Sequence, residues 1–217
     1  IDDYQVVRFA DANTIVNINN VSFQNNSTAD DATTNQSTGS GINIFAYQST
    51  VTITNSTFSG NQGLRTNSGG GAISYRPTAT SSLQISGSTF SNNSAQGSGG
   101  AIYLTGLTAG TTFSLQNSQF TNNTATASFG GALYLGSVPL NTTPYTLTNL
   151  LITGNHAGSA GGGLYLGPVN INMTNSRIIG NTATSGSGLY KSIDAATTVS
   201  VANNWGGCST GPSAAPC

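Results

Sequence analysis

One phrase, glycine-rich at its start and apolar at its end, returns down the chain as GSGGAIYL, SFGGALYL, SAGGGLYL and SGSGLYK. Alignment of these phrases gives an aliphatic column of Ile42, Ile73, Ile102, Leu133, Leu164 and Leu189, with steps of 31, 29, 31, 31 and 25 residues. Three residues before each member stands a glycine: Gly39, Gly70, Gly99, Gly130, Gly161 and Gly186. The residue just before each member is Gly or Ala, so nothing larger than a methyl group is used there six times running. Self-similarity at such a period marks a repeat architecture, in which each unit buries its apolar face only against the next.

A second phrase recurs between the first ones, as INNVSFQNN, ITNSTFSGN, ISGSTFSNN, LQNSQFTNN, LTNLLITGN and MTNSRIIGN. Five residues into it lies a large apolar column, Phe23, Phe58, Phe90, Phe120, Ile152 and Ile178. Seven residues in, Asn and Gly exchange freely (Asn25, Gly60, Asn92, Asn122, Gly154, Gly180). These two residues accept positive φ most readily, so the column marks a left-handed turn. The column two residues in is similar, with Asn20, Asn55, Asn117, Asn149 and Asn175 broken by Gly87. Its asparagines form a structural turn ladder if their amides stack one strand spacing apart.

The stretches between turns, such as TVTIT, SLQIS and NINMT, alternate apolar with polar residues, the signature of half-buried strands. Short strands, positive-φ turns and one column per position imply stacked coils with parallel pairing at about 4.8 Å. The expected fold is all-β, a right-handed parallel β-helix of about 6–7 coils of roughly 30 residues. Coils of that length with one ragged loop favour the right-handed form over a left-handed hexapeptide helix. A leucine-rich repeat fails because the LxxLxL spacing and a helical return segment are missing. The chain reads as one domain: a lead-in at 1–14, coils over 15–204 and a C-terminal cap at 205–217.

Composition narrows the function. Of 217 residues only 5% are charged, none is Glu, and the net charge is −1, so nothing electrostatic favours nucleic acid or an anionic membrane. No apolar run approaches the ~20 residues of a membrane-spanning helix. Cys208 and Cys217, with eight residues between them in a Pro- and Gly-containing tail, suit a disulfide-closed loop and with it an extracellular compartment. Trp205 followed by that loop reads as a plug over the last coil, while YQVVRFADA at the other end carries charges suited to guarding an open edge.

The phrases GGAI at 70–73 and 99–102, GGAL at 130–133, and FQNN, FSGN, FSNN and FTNN together resemble the repeats of the polymorphic outer membrane protein (Pmp) family. That family is marked by many copies of GGA[ILV] and FxxN. The resemblance covers about residues 15–190 and implies a secreted bacterial surface passenger, a right-handed β-helix and a role in adhesion. The ending NNWGGCSTGPSAAPC is similar to that of other secreted bacterial β-helix proteins.

Many β-helices act on polysaccharides, which calls for paired carboxylates or carboxylates holding Ca²⁺ beside a base. Here Asp30 and Asp31 adjoin on a loop insertion, Asp194 stands apart, and His156 has no acid or Cys in register. Arg65, Arg76, Arg177 and Lys191 form no column. Catalytic residues, cofactor and metal are therefore expected to be absent. The residue after the aliphatic column is Tyr103, Tyr134, Tyr165 and Tyr190 on successive coils, and alternation turns it outward. These rings either stack and cover the glycine bend or form a contact stripe for a glycan or a neighbouring subunit. Three readings follow: a non-enzymatic extracellular surface protein, adhesin-like or a structural rod; a self-assembling filament or sheath subunit; and a carbohydrate-active enzyme. The partner is a surface protein or glycan, or a copy of the chain.

Overall fold

A computed structural model describes residues 7–9, 13–28, 41–44, 48–64, 69–77, 79–106, 110–136, 143–192 and 198–207. Cys208, Cys217, Asp30, Asp31, Asp194 and Arg65 lie outside them. The chain is an all-β parallel solenoid, and no helix occurs among the described residues. Four sheets run along the rod, and every strand pairing is parallel to the strand one coil away. Sheet 1 opens with Ile15–Asn19, sheet 2 with Ser22–Gln24, sheet 3 with Ser27–Thr28, and sheet 4 with Val7–Phe9. Sheets 1, 2 and 4 have seven strands each and sheet 3 has six. All four sheets are paired across about five turns, slightly fewer than the 6–7 coils expected, because the last described coil has no strand in sheet 3.

Each coil follows from its turn residues. Between sheets 1 and 2 the backbone reverses at Asn20, Asn55, Gly87, Asn117, Asn149, Asn175 and Asn203, with φ of 50–59° throughout. Between sheets 2 and 3 the same conformation falls on Asn25, Gly60, Asn92, Asn122, Gly154 and Gly180. The Asn/Gly exchange seen in the sequence is thus one backbone state used in every coil.

The bend into sheet 4 needs glycine twice, for different reasons. Gly99 and Gly130 have φ of 69°, a conformation that L side chains rarely adopt. Gly100 and Gly131 have no such φ, but a Cβ on either would run into the carbonyl oxygen of the next coil, Gly131 O and Gly162 O respectively. Ala101 and Ala132 then turn inward, fully buried, and their amides hold the coils together through Ala101 N–H to Ala132 O at 3.0 Å and Ala132 N–H to Gly163 O at 3.0 Å.

The core is filled by columns in register. Phe23, Phe58, Phe90 and Phe120 stack face to face with centroid separations of 4.9, 4.8 and 4.7 Å. The strand spacing itself sets those separations. Ile42, Ile73, Ile102, Leu133 and Leu164 line the opposite wall without measurable exposure.

Beside the phenylalanines runs a column of amides, Asn26, Asn61, Asn93, Asn123, Asn155 and Asn181, buried from Asn61 onward. Each Nδ2 donates to the Oδ1 of the next coil, at 2.7, 2.8, 2.9, 2.9 and 2.9 Å. Each Oδ1 also accepts the backbone N–H of the preceding asparagine, as Asn123 does from Asn93 at 3.0 Å. The second Nδ2 hydrogen goes back to the carbonyl of the apolar column, Asn123 to Phe90 O at 3.0 Å and Asn181 to Ile152 O at 2.9 Å. Two donors and two lone pairs are all used, so a polar side chain sits in the core without an orphan.

Two outcomes are expected. Asn123→Ala removes four buried side-chain hydrogen bonds and lowers unfolding free energy by at least about 3 kcal/mol, read from urea melts. Gly100→Ala costs about 3 kcal/mol through overlap with the next coil, whereas Gly180→Ala, with φ +62° and nothing within 4 Å of the new Cβ, costs about 1 kcal/mol.

Candidate functional site: an aromatic stripe on sheet 4

Three successive strands of sheet 4 bury their first and third side chains and turn the middle one out. Ile102–Leu104, Leu133–Leu135 and Leu164–Leu166 all have this pattern. Register pairs Tyr103 with Tyr134, Tyr134 with Tyr165, and Tyr165 with Tyr190. All four rings are half-buried. They stack with centroids 5.0, 5.1 and 5.4 Å apart and interplanar angles of 14°, 9° and 15°.

The rings do both things that the sequence left open: they stack, and they lie over glycines. A Cβ on Gly69 would fall on the Tyr103 ring, and one on Gly136 would fall on Tyr134. Phe129 adds an aromatic edge, with its ring 4.7 Å from Tyr165 and tilted by 38°. At the other end the Arg76 guanidinium carbon stands 5.4 Å from the Tyr103 centroid, a cation–π distance. The inner faces of the stack are therefore occupied, and the stripe meets solvent with ring edges and phenol groups. Burial, then the neighbouring Tyr103 and Tyr165 phenols, push the Tyr134 pKa up to about 12.

On the second and third strands of sheet 4 the same column holds Asn43 and Ser74, both fully buried. Neither the Asn43 amide nor the Ser74 hydroxyl has a hydrogen-bond partner, and the Arg76 Nε is also buried and unmatched. The outward face of sheet 4 thus changes from polar to aromatic along the rod.

The other residues singled out in the sequence fall elsewhere. His156 is exposed on sheet 3, its Nδ1 2.9 Å from Thr182 Oγ1. Lys191 Nζ donates to the Ser192 carbonyl at 3.3 Å. In the turn column between sheets 1 and 2, Asn149 Nδ2 donates to Asn117 Oδ1 at 2.8 Å, whereas Asn55 Nδ2 turns to Asn19 Oδ1 at 3.3 Å. Gly87 offers no amide, and the continuous ladder is the buried one ending each FxxN phrase. Among the described residues no group of three His, Cys, Asp or Glu could hold a metal ion, and no helix is long and apolar enough to cross a membrane.

The segments that build this stripe and the amide ladder are the ones matched by a family model. Residues 87–105 and 117–136 match the Chlamydia polymorphic membrane protein repeat. These two segments are similar to Pmp-type repeats. Each matched segment starts in the turn before a core phenylalanine, Phe90 or Phe120, passes the buried Asn93 or Asn123, and ends just after Tyr103 or Tyr134. No curated protein and no solved structure matches the chain.

The raised Tyr134 pKa gives a pH prediction with a definite sign. Unfolded tyrosine ionises near 10, below the folded value of about 12, so the unfolded state loses its proton first. The contribution is fully present below pH 10 and is lost as pH rises from about 10 to 12. Burial shifts the core phenols Tyr75 and Tyr145 in the same direction. The melting temperature is expected to hold steady up to pH 10 and then fall, with phenolate absorbance near 295 nm rising together with unfolding.

Proposed function

We propose that this chain is a non-enzymatic, extracellular surface protein, adhesin-like, whose rigid rod presents the Tyr103–Tyr134–Tyr165–Tyr190 stripe to a protein or glycan. The carrying observation is the half-exposed ladder itself: four aromatic side chains held at about 5 Å intervals on a flat parallel sheet. Tyrosine offers contact area and a hydroxyl with little side-chain freedom to lose, and here the stacking has already fixed the rings. The Pmp-type repeats support placement at a bacterial surface, since the family model describes a membrane protein repeat.

The stack geometry narrows the mode of contact. A sugar ring cannot lie on the inner tyrosine faces, because a neighbouring ring is already there. Recognition runs through ring edges and the row of phenol hydroxyls, which favours an extended ligand with polar groups along its length. The scarcity of charge leaves no long-range steering, so binding is expected to depend little on salt.

The test is binding of the labelled 217-residue chain to a glycan array and to intact cells. The double variant Tyr134→Ser/Tyr165→Ser is expected to bind at least about tenfold more weakly. Tyr134→Phe/Tyr165→Phe keeps the stack and removes the hydroxyls, separating recognition from ring packing. Gln84→Lys, exposed on sheet 1, serves as the control that leaves binding unchanged. Wild-type affinity in both tyrosine variants overturns the proposal.

A further inference from the structure

Buried polar side chains in this rod are matched almost everywhere, so the exceptions carry information. Among the described residues six buried side-chain polar atoms lack a hydrogen-bond partner, and four of them belong to one cluster: Asn43 Nδ2 and Oδ1, Ser74 Oγ and Arg76 Nε. The other two are the core phenols of Tyr75 and Tyr145.

Strand pairing assembles the cluster. Asn43 and Ser74 are in register on neighbouring strands of sheet 4, and Ser74 is in register with Tyr103. Arg76 follows Ser74 by two residues, and its backbone N–H donates to Ile44 O at 2.8 Å. Its guanidinium carbon reaches to 5.4 Å from the Tyr103 centroid, over the ring that succeeds Ser74 in the column. Asn43 and Ser74 have no exposed surface, whereas Arg76 is half-buried, so of the three only Arg76 reaches solvent. Register also sets Arg8 beside Asn43, which brings two of the chain's five Lys and Arg residues to this part of sheet 4. No Asp or Glu occurs among the described residues to balance them.

The unmatched atoms define a complement. Asn43 offers two N–H groups and one acceptor, Ser74 a hydroxyl, and Arg76 a charged N–H. Water matches the amide and the hydroxyl but brings the guanidinium no counter-charge. A phosphate dianion brings two charges against one enclosed guanidinium and leaves the excess desolvated. A carboxylate takes up the three kinds of donor, and its planar pair of oxygens suits the fork that Nε opens on a guanidinium. The Asn43 Oδ1 then calls for a donor on the same molecule, which a hydroxyl next to the carboxylate supplies.

We propose that Asn43, Ser74 and Arg76 form a binding site for a hydroxy-carboxylate at the head of the tyrosine stripe, with the Tyr103 ring holding the guanidinium in place. The acid is either a small free hydroxy acid or a uronic acid unit of a glycan lying along the stripe. Only the second source rests on the surface-binding reading. An enclosed ion pair is screened little by salt, in keeping with the weak salt dependence expected of the stripe.

The test is the melting temperature of the 217-residue chain in sodium glycolate, sodium glucuronate, glycolamide and sodium chloride, the salts at matched ionic strength. Glycolate and glucuronate are expected to raise it saturably, and glycolamide and chloride are not. Arg76→Gln is expected to need at least about tenfold more glycolate for half the shift, and Ser74→Ala about fivefold more. Tyr134→Ser/Tyr165→Ser is expected to keep the glycolate response, so failure of the stripe and failure of this site are read separately. On a glycan array, a preference for chains ending in uronic acid that Arg76→Gln abolishes assigns the acid to a glycan. A glycolate response without that preference assigns it to a free hydroxy acid. The proposal is overturned if glycolate shifts the melting temperature no more than chloride does, or if the shift is unchanged in both Arg76→Gln and Ser74→Ala. A crystal structure grown with glycolate that shows water alone at Asn43 overturns it as well.

Discussion

The amide column from Asn26 to Asn181 is the interaction on which the coil depends. Wherever sheet 2 turns into sheet 3, the backbone leaves strand geometry beside the apolar core, and not all of its polar groups can join the coil-to-coil ladder. An unmatched N–H or C=O there costs roughly 1–3 kcal/mol, and the turn recurs in every coil. Each asparagine matches both groups, accepting the preceding Asn N–H and donating to the preceding Phe or Ile carbonyl. Glutamine would displace the amide by a methylene, and aspartate would place like charges one strand spacing apart. The side chain is therefore dictated by geometry and by the absence of charge together.

Once the coil spacing is fixed, identical residues in successive coils are forced into contact. That single consequence produces the phenylalanine stack inside and the tyrosine stack outside, at nearly the same separations. Offset or edge-to-face pairs are ordinarily preferred over parallel rings. Here the backbone decides, and Phe113 against Tyr145, where the residue type changes, is free to take a perpendicular arrangement at 88°. The tyrosine stripe is thus a product of the fold before it is a binding surface. The same property makes it rigid.

The fold was legible because its constraints act at fixed positions. Free exchange of Asn with Gly at 25, 60, 92, 122, 154 and 180 reports a φ angle, and all six have it. The buried ladder was harder to see, although its signal was present: the last residue of the phrase is Asn six times with no exchange for Gly. A position that needs only a backbone conformation tolerates Gly, while one that needs an amide does not. The turn column at Asn20 and Asn55 shows the converse, since Gly87 interrupts it and its amide bonding is correspondingly discontinuous. The polar residues that precede the tyrosines, Asn43 and Ser74, were legible as part of that column, but their burial was not, because alternation alone sends them outward and says nothing of what covers them. Functional residues were least legible, since a repeat writes its fold in every coil and its partners only in the departures from repetition.

Side and end of such a rod are under opposite demands. The side must not extend the hydrogen-bonding of the sheets, and it does not, because every strand there is already paired to both neighbours and the outward residues are short, polar or stacked. The end cannot avoid extending it, because a solenoid has no internal way to stop. Termination requires a cap, a change of sequence or another chain. Lateral contact on such a rod is therefore read by side chains alone, and on sheet 4 those side chains are held in place by the coil spacing itself.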